Sequence, residues 1–232
     1  MGIILEMASG QVPFAPTPDV TLDVMKWDDC ADECDAYILA TLILRGKTTS
    51  PKKRAFVAEV VSRLALWDLE LVEAMCGVDE ATVAAPQEFL RTWACKRGWD
   101  TCAELGWESG AVYGMDGNRV LHSAYLAVRD AEALDRRVWS AQAGIYLPWI
   151  EERRVQLLPR LQAFVSLPVE LDDGKFERLQ DLSIGQLAFV LRGAGIDART
   201  RRTIERLREA RNLLAHLQPL SAWLALHEDL IG

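Results

Sequence analysis

The stretch RLREARNLLAHLQPLS, Arg206–Ser221, carries the periodicity that predicts a helical fold. On a helix of 3.6 residues per turn, its apolar residues fall on one stripe and its charged residues fall outside that stripe. Asp197 is placed to cap the amino end of this helix, and Pro219 predicts an end near Leu217. The predicted stripe consists of Ile204, Leu207, Ala210, Leu214 and Leu217.

Helical periodicity extends over most of the chain from Thr21 onward. AFVAEVVSRLALWDLELVEAMCG predicts one helix, with Ser50 as its N-cap and Pro51 in its first turn. Its core side chains are expected to be Phe56, Val60, Leu64, Trp67, Leu71 and Met75. Further helices are predicted over PQEFLRTWACKRGW, over a long or kinked segment containing Pro148, and over SAWLALHEDLI. The predicted class is all-α, with one small hairpin in GWESGAVYGMDGNRVL and a loop in VSLPVELDDGKFERLQ.

Charge divides the chain into two modules after an irregular lead-in at residues 1–20. Residues 1–130 carry 12 basic and 20 acidic groups, whereas residues 131–232 carry 14 of each. We therefore predict an acidic helical module at 21–130 and a second helical domain at 131–232. Within the second, Arg199–Arg211 holds six Arg against two Glu, a cationic stripe in a protein of net charge −8. Such a stripe suits RNA phosphates, an acidic partner or the protein's own acidic half.

Composition excludes several classes of protein. The longest apolar run, Tyr37–Leu44, is too short to cross a bilayer, and the amino terminus lacks the basic region of a signal peptide. Five cysteines without dense spacing favour reduced thiols and a cytoplasmic location. His122, His216 and His227 are scattered, so we expect no metal, and nucleotide motifs that would indicate a cofactor are absent from the sequence.

Two other polar features have ordinary interpretations. The acidic run WDDCADECD, Trp27–Asp35, lacks the glycine and spacing of a calcium loop, so it predicts a solvated or partner-facing surface. His122 and His227 have no acidic partner that the sequence identifies. Both are interpreted as surface histidines or as hydrogen-bonded core histidines.

Arg211, Asn212 and His216 lie outside the apolar stripe of the predicted helix. RNA cleavage without a metal needs proton transfer at the ribose 2′-oxygen and at the leaving 5′-oxygen, together with stabilisation of a charged phosphorane. Histidine suits proton transfer near neutral pH, and arginine grips phosphate oxygens through paired N–H groups. A symmetric dimer would double the set, since one helix supplies a single histidine. Arg202 and Arg208 are weaker candidates for contact with the RNA backbone.

The run Arg211-Asn212-x-x-x-His216, late on a long helix, resembles the RNxxxH signature of HEPN domains. The resemblance covers residues 132–232 and includes DLSIGQLAFVLRG and the short terminal helix. It implies a helical bundle that dimerises and acts as a metal-independent endoribonuclease, an effector or toxin of a bacterial conflict or antiphage defence system. His216 would then transfer protons, Arg211 would stabilise the phosphorane, and Asn212 would orient them.

Other interpretations remain open at this point. HEPN domains include inactive binding modules, and the chain is also similar to carboxy-terminal regions of conflict-system proteins built around NTPase sensors. A non-catalytic adaptor would dock onto such a sensor or NTPase through the acidic surface around residues 28–35. A third alternative is an antitoxin-like or purely structural oligomerisation domain. On a structural interpretation, Arg211 would pair with a carboxylate and His216 would stabilise the helix carboxyl end.

Overall fold

The computed structural model describes residues 17–25, 30–47, 50–100, 109–113 and 118–231. Chain contacts divide the protein into two units, Met1–Ala141 and Gln142–Gly232. The division falls inside one helix, whereas the shift in charge after residue 130 coincides with the start of that helix. The predicted all-α class is confirmed, because helices dominate and the described strands form only two small hairpins.

The first unit contains six helices within its described residues and the beginning of a seventh. The helices are α1 (Glu33–Leu44), α2 (Pro51–Ala65), α3 (Leu69–Cys76), α4 (Glu80–Ala84), α5 (Gln87–Lys96), α6 (Ser123–Arg129) and α7 (Ala131–Leu161). The predicted hairpin is confirmed as β1 (Gly110–Tyr113) paired antiparallel with β2 (Asn118–Leu121). Its turn lies outside the described residues.

The predicted helix through Trp67 is two helices, so that prediction is wrong. α2 ends at Ala65, and Leu66 follows it with φ of 59°. The Asp68 carboxylate caps α3 by accepting the N–H of Leu71 at 3.0 Å. Ser50 caps α2 and Pro51 opens it, as predicted. All six predicted core side chains are buried, because the interruption between α2 and α3 leaves the apolar faces of both helices turned inward.

The second unit contains the rest of α7 and four more α-helices within its described residues. These are α8 (Ile184–Val190), α9 (Ala198–Ala215), α10 (Ala222–Ala225) and α11 (Glu228–Ile231). The segment predicted as a loop with a short extended piece holds β3 (Val169–Leu171) and β4 (Gly174–Phe176), which pair antiparallel. The predicted terminal helix is interrupted at residues 226–227 and forms α10 and α11 instead.

Buried hydrogen bonds tie α7 to the segment that follows α9. The fully buried Gln142 accepts the Leu220 N–H through Oε1 at 2.6 Å and donates through Nε2 to the Leu220 carbonyl oxygen at 3.3 Å. The buried Tyr146 hydroxyl donates to the Ala225 carbonyl oxygen at 2.6 Å. These contacts satisfy backbone groups on both sides of α10 and hold it to α7.

Candidate functional site

α9 is the element that positions the predicted site. Asp197 caps it as predicted, because its carboxylate accepts the N–H groups of Arg199 and Thr200 at 3.0 and 2.9 Å. One face of the helix is buried, and the remaining face carries the cationic stripe. The buried residues are Thr200, Thr203, Ile204, Leu207, Ala210 and Leu214.

Arg211, Asn212 and His216 all lie exposed at the carboxyl end of α9. Within the part of the chain that the structure describes, none of the three side chains forms a hydrogen bond or an ion pair. The structural alternative in which a carboxylate neutralises Arg211 is therefore not realised among these residues. At 100° per residue, Arg211 and His216 are separated by about 140° around the helix axis, so a single α9 does not bring them together.

His216 lies at the end of the helix rather than inside its last turn. It is the C-cap residue, and Leu217 follows with φ of 59°. The N–H of Gln218 donates to the carbonyl oxygen of Leu213 at 3.0 Å, and the N–H of Leu217 donates to that of Leu214 at 3.3 Å. This is a Schellman turn. Because the chain reverses there, Leu217 is 56% exposed, so its predicted place in the apolar stripe is wrong.

The two weaker candidates have different environments. Arg208 Nη2 lies 2.7 Å from Glu205 Oε2, one turn earlier on the same helix, so its charge is balanced locally. Arg202 is exposed and lines a cleft of about 330 Å³ between α9 and the start of α11. On the α9 side the lining also includes Arg199, Thr203 and Arg206. Only Arg202 of this set is a site residue that the sequence predicted.

The opposite side of the cleft consists of residues 227–229. Asp229 is buried and accepts hydrogen bonds from Thr203 Oγ1 at 2.7 Å and from Arg206 Nη1 at 2.6 Å. Burial by itself raises the pKa of Asp229, but these hydrogen bonds outweigh burial and hold the pKa below its ordinary value. His227 Nδ1 accepts the Asp229 N–H at 3.2 Å and lies 3.4 Å from Asp229 Oδ2.

Trp223 lies next to this cleft and is 62% exposed. The Arg206 guanidinium carbon lies 5.7 Å from its ring centroid, and the His227 ring packs edge-on against it at 5.3 Å. The sequence signal for the α9 side was the spacing of Arg199, Arg202 and Arg206 at intervals of three and four. No sequence signal links them to residues 223–229, because that contact depends on the chain reversal after α9.

The first unit contains a buried ionic cluster that sequence reasoning missed. His122 is 1% exposed, and its Nε2 lies 3.2 Å from Asp68 Oδ2, close but not aligned for a hydrogen bond. The same oxygen accepts hydrogen bonds from Trp93 Nε1 at 3.1 Å and Arg97 Nη2 at 3.2 Å. The interpretation of His122 as a core histidine is confirmed, and the acidic partner that the sequence did not reveal is Asp68.

Burial and ionic contacts together set the charge states in this cluster. Burial lowers the pKa of His122 below the ordinary value, although Asp68 acts in the opposite direction. Burial would raise the pKa of Asp68, but contacts with His122 and Arg97 outweigh it and the pKa is lowered. His122 Nδ1 accepts the Ala124 N–H at 3.1 Å and so caps α6. A neutral histidine beside an ionised aspartate suits a structural anchor here, because the ring is packed between Trp67 and Trp99.

Part of the acidic run at Trp27–Asp35 lies outside the described residues. Of the remainder, Asp32 is the N-cap of α1 and forms a capping box with Asp35. Two of the acidic side chains therefore stabilise the start of a helix. The same helix, α1, also exposes the large apolar side chains of Tyr37, Ile38 and Leu42.

The chain matches no family model, no curated protein and no solved structure in the three comparisons made. Among the residues that the structure describes, no three His, Cys, Asp or Glu side chains are grouped so as to hold a metal ion. In the same residues, no helix has both the length and the apolar character needed to cross a membrane.

Proposed function

We propose that the protein is a metal-independent endoribonuclease of the HEPN type, acting as an effector or toxin in a bacterial conflict or antiphage defence system. The observation that supports it most is the exposed, unneutralised set of Arg211, Asn212 and His216 at the end of α9. Folding does not need these side chains, since the buried face of α9 is built from other residues. The resemblance of the run Arg211–His216 to the RNxxxH signature supplies the choice of reaction.

The chemistry assigns one role to each side chain. A neutral His216 accepts the proton of a ribose 2′-OH, and the 2′-oxygen forms a bond to phosphorus. The bond from phosphorus to the 5′-oxygen breaks, and a protonated histidine gives its proton to that oxygen. The products carry a 2′,3′-cyclic phosphate and a 5′-hydroxyl. Arg211 stabilises the added negative charge of the phosphorane through its N–H donors.

A second copy of the chain completes this scheme. One chain supplies one such histidine, and Arg211 and His216 lie on different sides of a single helix. Two copies of α9 packed about a two-fold axis would bring the arginine of one copy near the histidine of the other. The proposed active form is therefore a homodimer.

The test is cleavage of end-labelled RNA by the purified full-length chain in EDTA. We expect His216→Ala to lower the rate by about 100-fold or more, the usual contribution of a general acid or base. Arg211→Ala should have a similar effect, because the phosphorane loses its cationic donor. The exposed neighbour Gln218→Ala is the matched control and should cleave at the wild-type rate. Circular dichroism should show the same helical content in all four proteins.

Two results would contradict the proposed ribonuclease activity. The first is intact RNA with the wild type at every enzyme concentration, in the presence of genomically neighbouring proteins as well. The second is equal cleavage by wild type and His216→Ala, which would identify a contaminating nuclease.

A non-catalytic adaptor is the second candidate, favoured by the exposed apolar side chains of α1. Ile38 and Leu42 are 52% and 59% exposed, next to the acidic capping box of the same helix. An apolar patch with an acidic border is typical of a docking surface. Intact RNA, together with a complex with a sensor or NTPase that Leu42→Asp abolishes, would favour the adaptor.

A further inference from the structure

The cleft between α9 and residues 227–229 carries positive charge that folding does not explain. Arg199 and Arg202 are exposed, and among the described residues neither has a carboxylate partner. Arg199 lies in the first turn of α9, where the helix dipole disfavours a cation, and Arg202 is a like charge three residues later. A bound anion would reverse both costs.

Arg206 adds a third guanidinium whose position is fixed. Asp229 accepts from its Nη1, and Asp229 is itself held by Thr203. A guanidinium has five N–H donors, so this pairing leaves others for phosphate oxygens. Glu228 lines the other side of the cleft, where its carboxylate repels an anion. The cleft therefore contains both positive and negative side chains.

Trp223 supplies an aromatic surface beside these cations. Its ring is largely exposed and is held against Arg206 and His227. Bases of single-stranded nucleic acid stack on such rings while adjacent cations follow the backbone. In a duplex the bases are already stacked on one another, so an exposed aromatic ring beside the cleft favours a single strand.

We propose that this cleft binds a single-stranded RNA segment, with Arg199 and Arg202 contacting successive phosphates and Trp223 stacking on an adjacent base. The site rests on the proposed function for its choice of RNA, and it is separate from Arg211, Asn212 and His216. Its role is to position the RNA strand, while the phosphate that reacts lies at Arg211 and His216.

The test measures binding without cleavage. The probe is a fluorescein-labelled 2′-O-methyl oligouridine of about ten nucleotides, within the site sizes of single-strand binding folds. Its affinity for the full chain is measured by fluorescence anisotropy over a range of salt concentrations. We expect Arg199→Ala/Arg202→Ala to weaken binding by about tenfold or more, since charge-assisted hydrogen bonds to phosphate are lost. The slope of log affinity against log salt should fall by about 1.4, the value for two phosphates on a single strand.

A matched variant separates the cleft from net charge. Arg160→Ala/Arg192→Ala removes the same charge from two exposed positions of the same unit, and it should bind like the wild type. Trp223→Leu should weaken binding by about fivefold or more through lost stacking, whereas Phe189→Leu, at another exposed aromatic residue, should not. Glu228→Gln should tighten binding, because it removes the opposing charge.

Each outcome separates this site from the ribonuclease. If RNA cleavage depends on His216 but the two double-arginine variants bind RNA equally, RNA binding in the cleft is contradicted. The proposed ribonuclease activity is then unaffected. Binding weakened in Arg199→Ala/Arg202→Ala and not in Arg160→Ala/Arg192→Ala, with no cleavage by any protein, supports the binding cleft and contradicts the ribonuclease activity. Absence of binding by the wild type overturns the cleft. Uridine 5′-monophosphate binding as tightly as the oligonucleotide also overturns it, since the ligand would then be a free nucleotide.

Discussion

The two units place the same residue types in opposite environments. In the first, His122 is 1% exposed and Asp68 is 8% exposed, and Arg97 contributes to the same buried cluster. In the second, Arg211 and His216 are exposed and have no ionic partner among the described residues. The buried cluster of the first unit connects helices that are far apart in sequence, whereas these two side chains of the second unit face solvent. Residue type alone therefore does not distinguish a structural histidine from a candidate catalytic one.

The largest expected effect is loss of stability on removing Asp68. Asp68→Ala should lower the free energy of unfolding by about 3–5 kcal/mol, because it breaks a buried ion pair and removes the cap of α3. Urea unfolding followed by tryptophan fluorescence measures this, since Trp93 and Trp99 lie in or beside the cluster.

Asp79→Ala is the matched control, because Asp79 also caps a helix but is exposed. It should cost clearly less stability than Asp68→Ala. Equal effects of the two substitutions would mean that Asp68 acts only as a cap, and the contrast between buried and exposed charge would fail.

The dependence of stability on pH should distinguish the buried His122 from the exposed His216. The pKa of His122 is lowered on folding, so between its ordinary value and its lowered value the unfolded chain binds a proton that the folded chain does not. Stability is therefore complete above the ordinary histidine pKa of about 6.5 and falls as the pH drops below it. Asp68 contributes only at lower pH, since its pKa is lowered from that of an ordinary carboxyl.

The measurement is the unfolding free energy at about pH 7.5 and about pH 5.5, on either side of the ordinary histidine pKa. His122→Asn retains an acceptor for the Ala124 N–H and removes the titration, so it should lose much of the dependence on pH. His216→Ala should retain the wild-type dependence. If His122→Asn responds to acid as the wild type does, His122 is not the group that titrates.

The smallest expected effect concerns two leucines with the same φ of 59°, Leu66 and Leu217. Leu217 is exposed, so Leu217→Gly should stabilise the protein by about 0.5–1 kcal/mol by relieving left-handed strain, less the entropy of glycine. Leu66 packs with Trp67 in the core, so Leu66→Gly should destabilise, because the lost burial exceeds the relieved strain. Thermal unfolding of both variants measures whether each substitution raises or lowers stability. Two changes of the same sign would show that burial does not distinguish these sites.

Local signals predicted more of this protein than nonlocal ones. The caps at Ser50 and Asp197 and the burial of Ile204, Leu207 and Leu214 follow from side-chain chemistry and helical spacing. The break between α2 and α3 did not, because the apolar spacing runs through it without interruption. The division of SAWLALHEDLI into α10 and α11 was missed for the same reason.

The sequence by itself determined the helical class, the apolar stripe of α9 and the exclusion of Arg211, Asn212 and His216 from that stripe, since each depends only on residues within a few turns. Tertiary structure alone decided that His122 meets Asp68, that Leu217 faces solvent, and that Arg199, Arg202 and Arg206 form one side of a cleft. Those outcomes depend on where the chain reverses, and helical periodicity contains no information about which distant residue a reversal brings into contact.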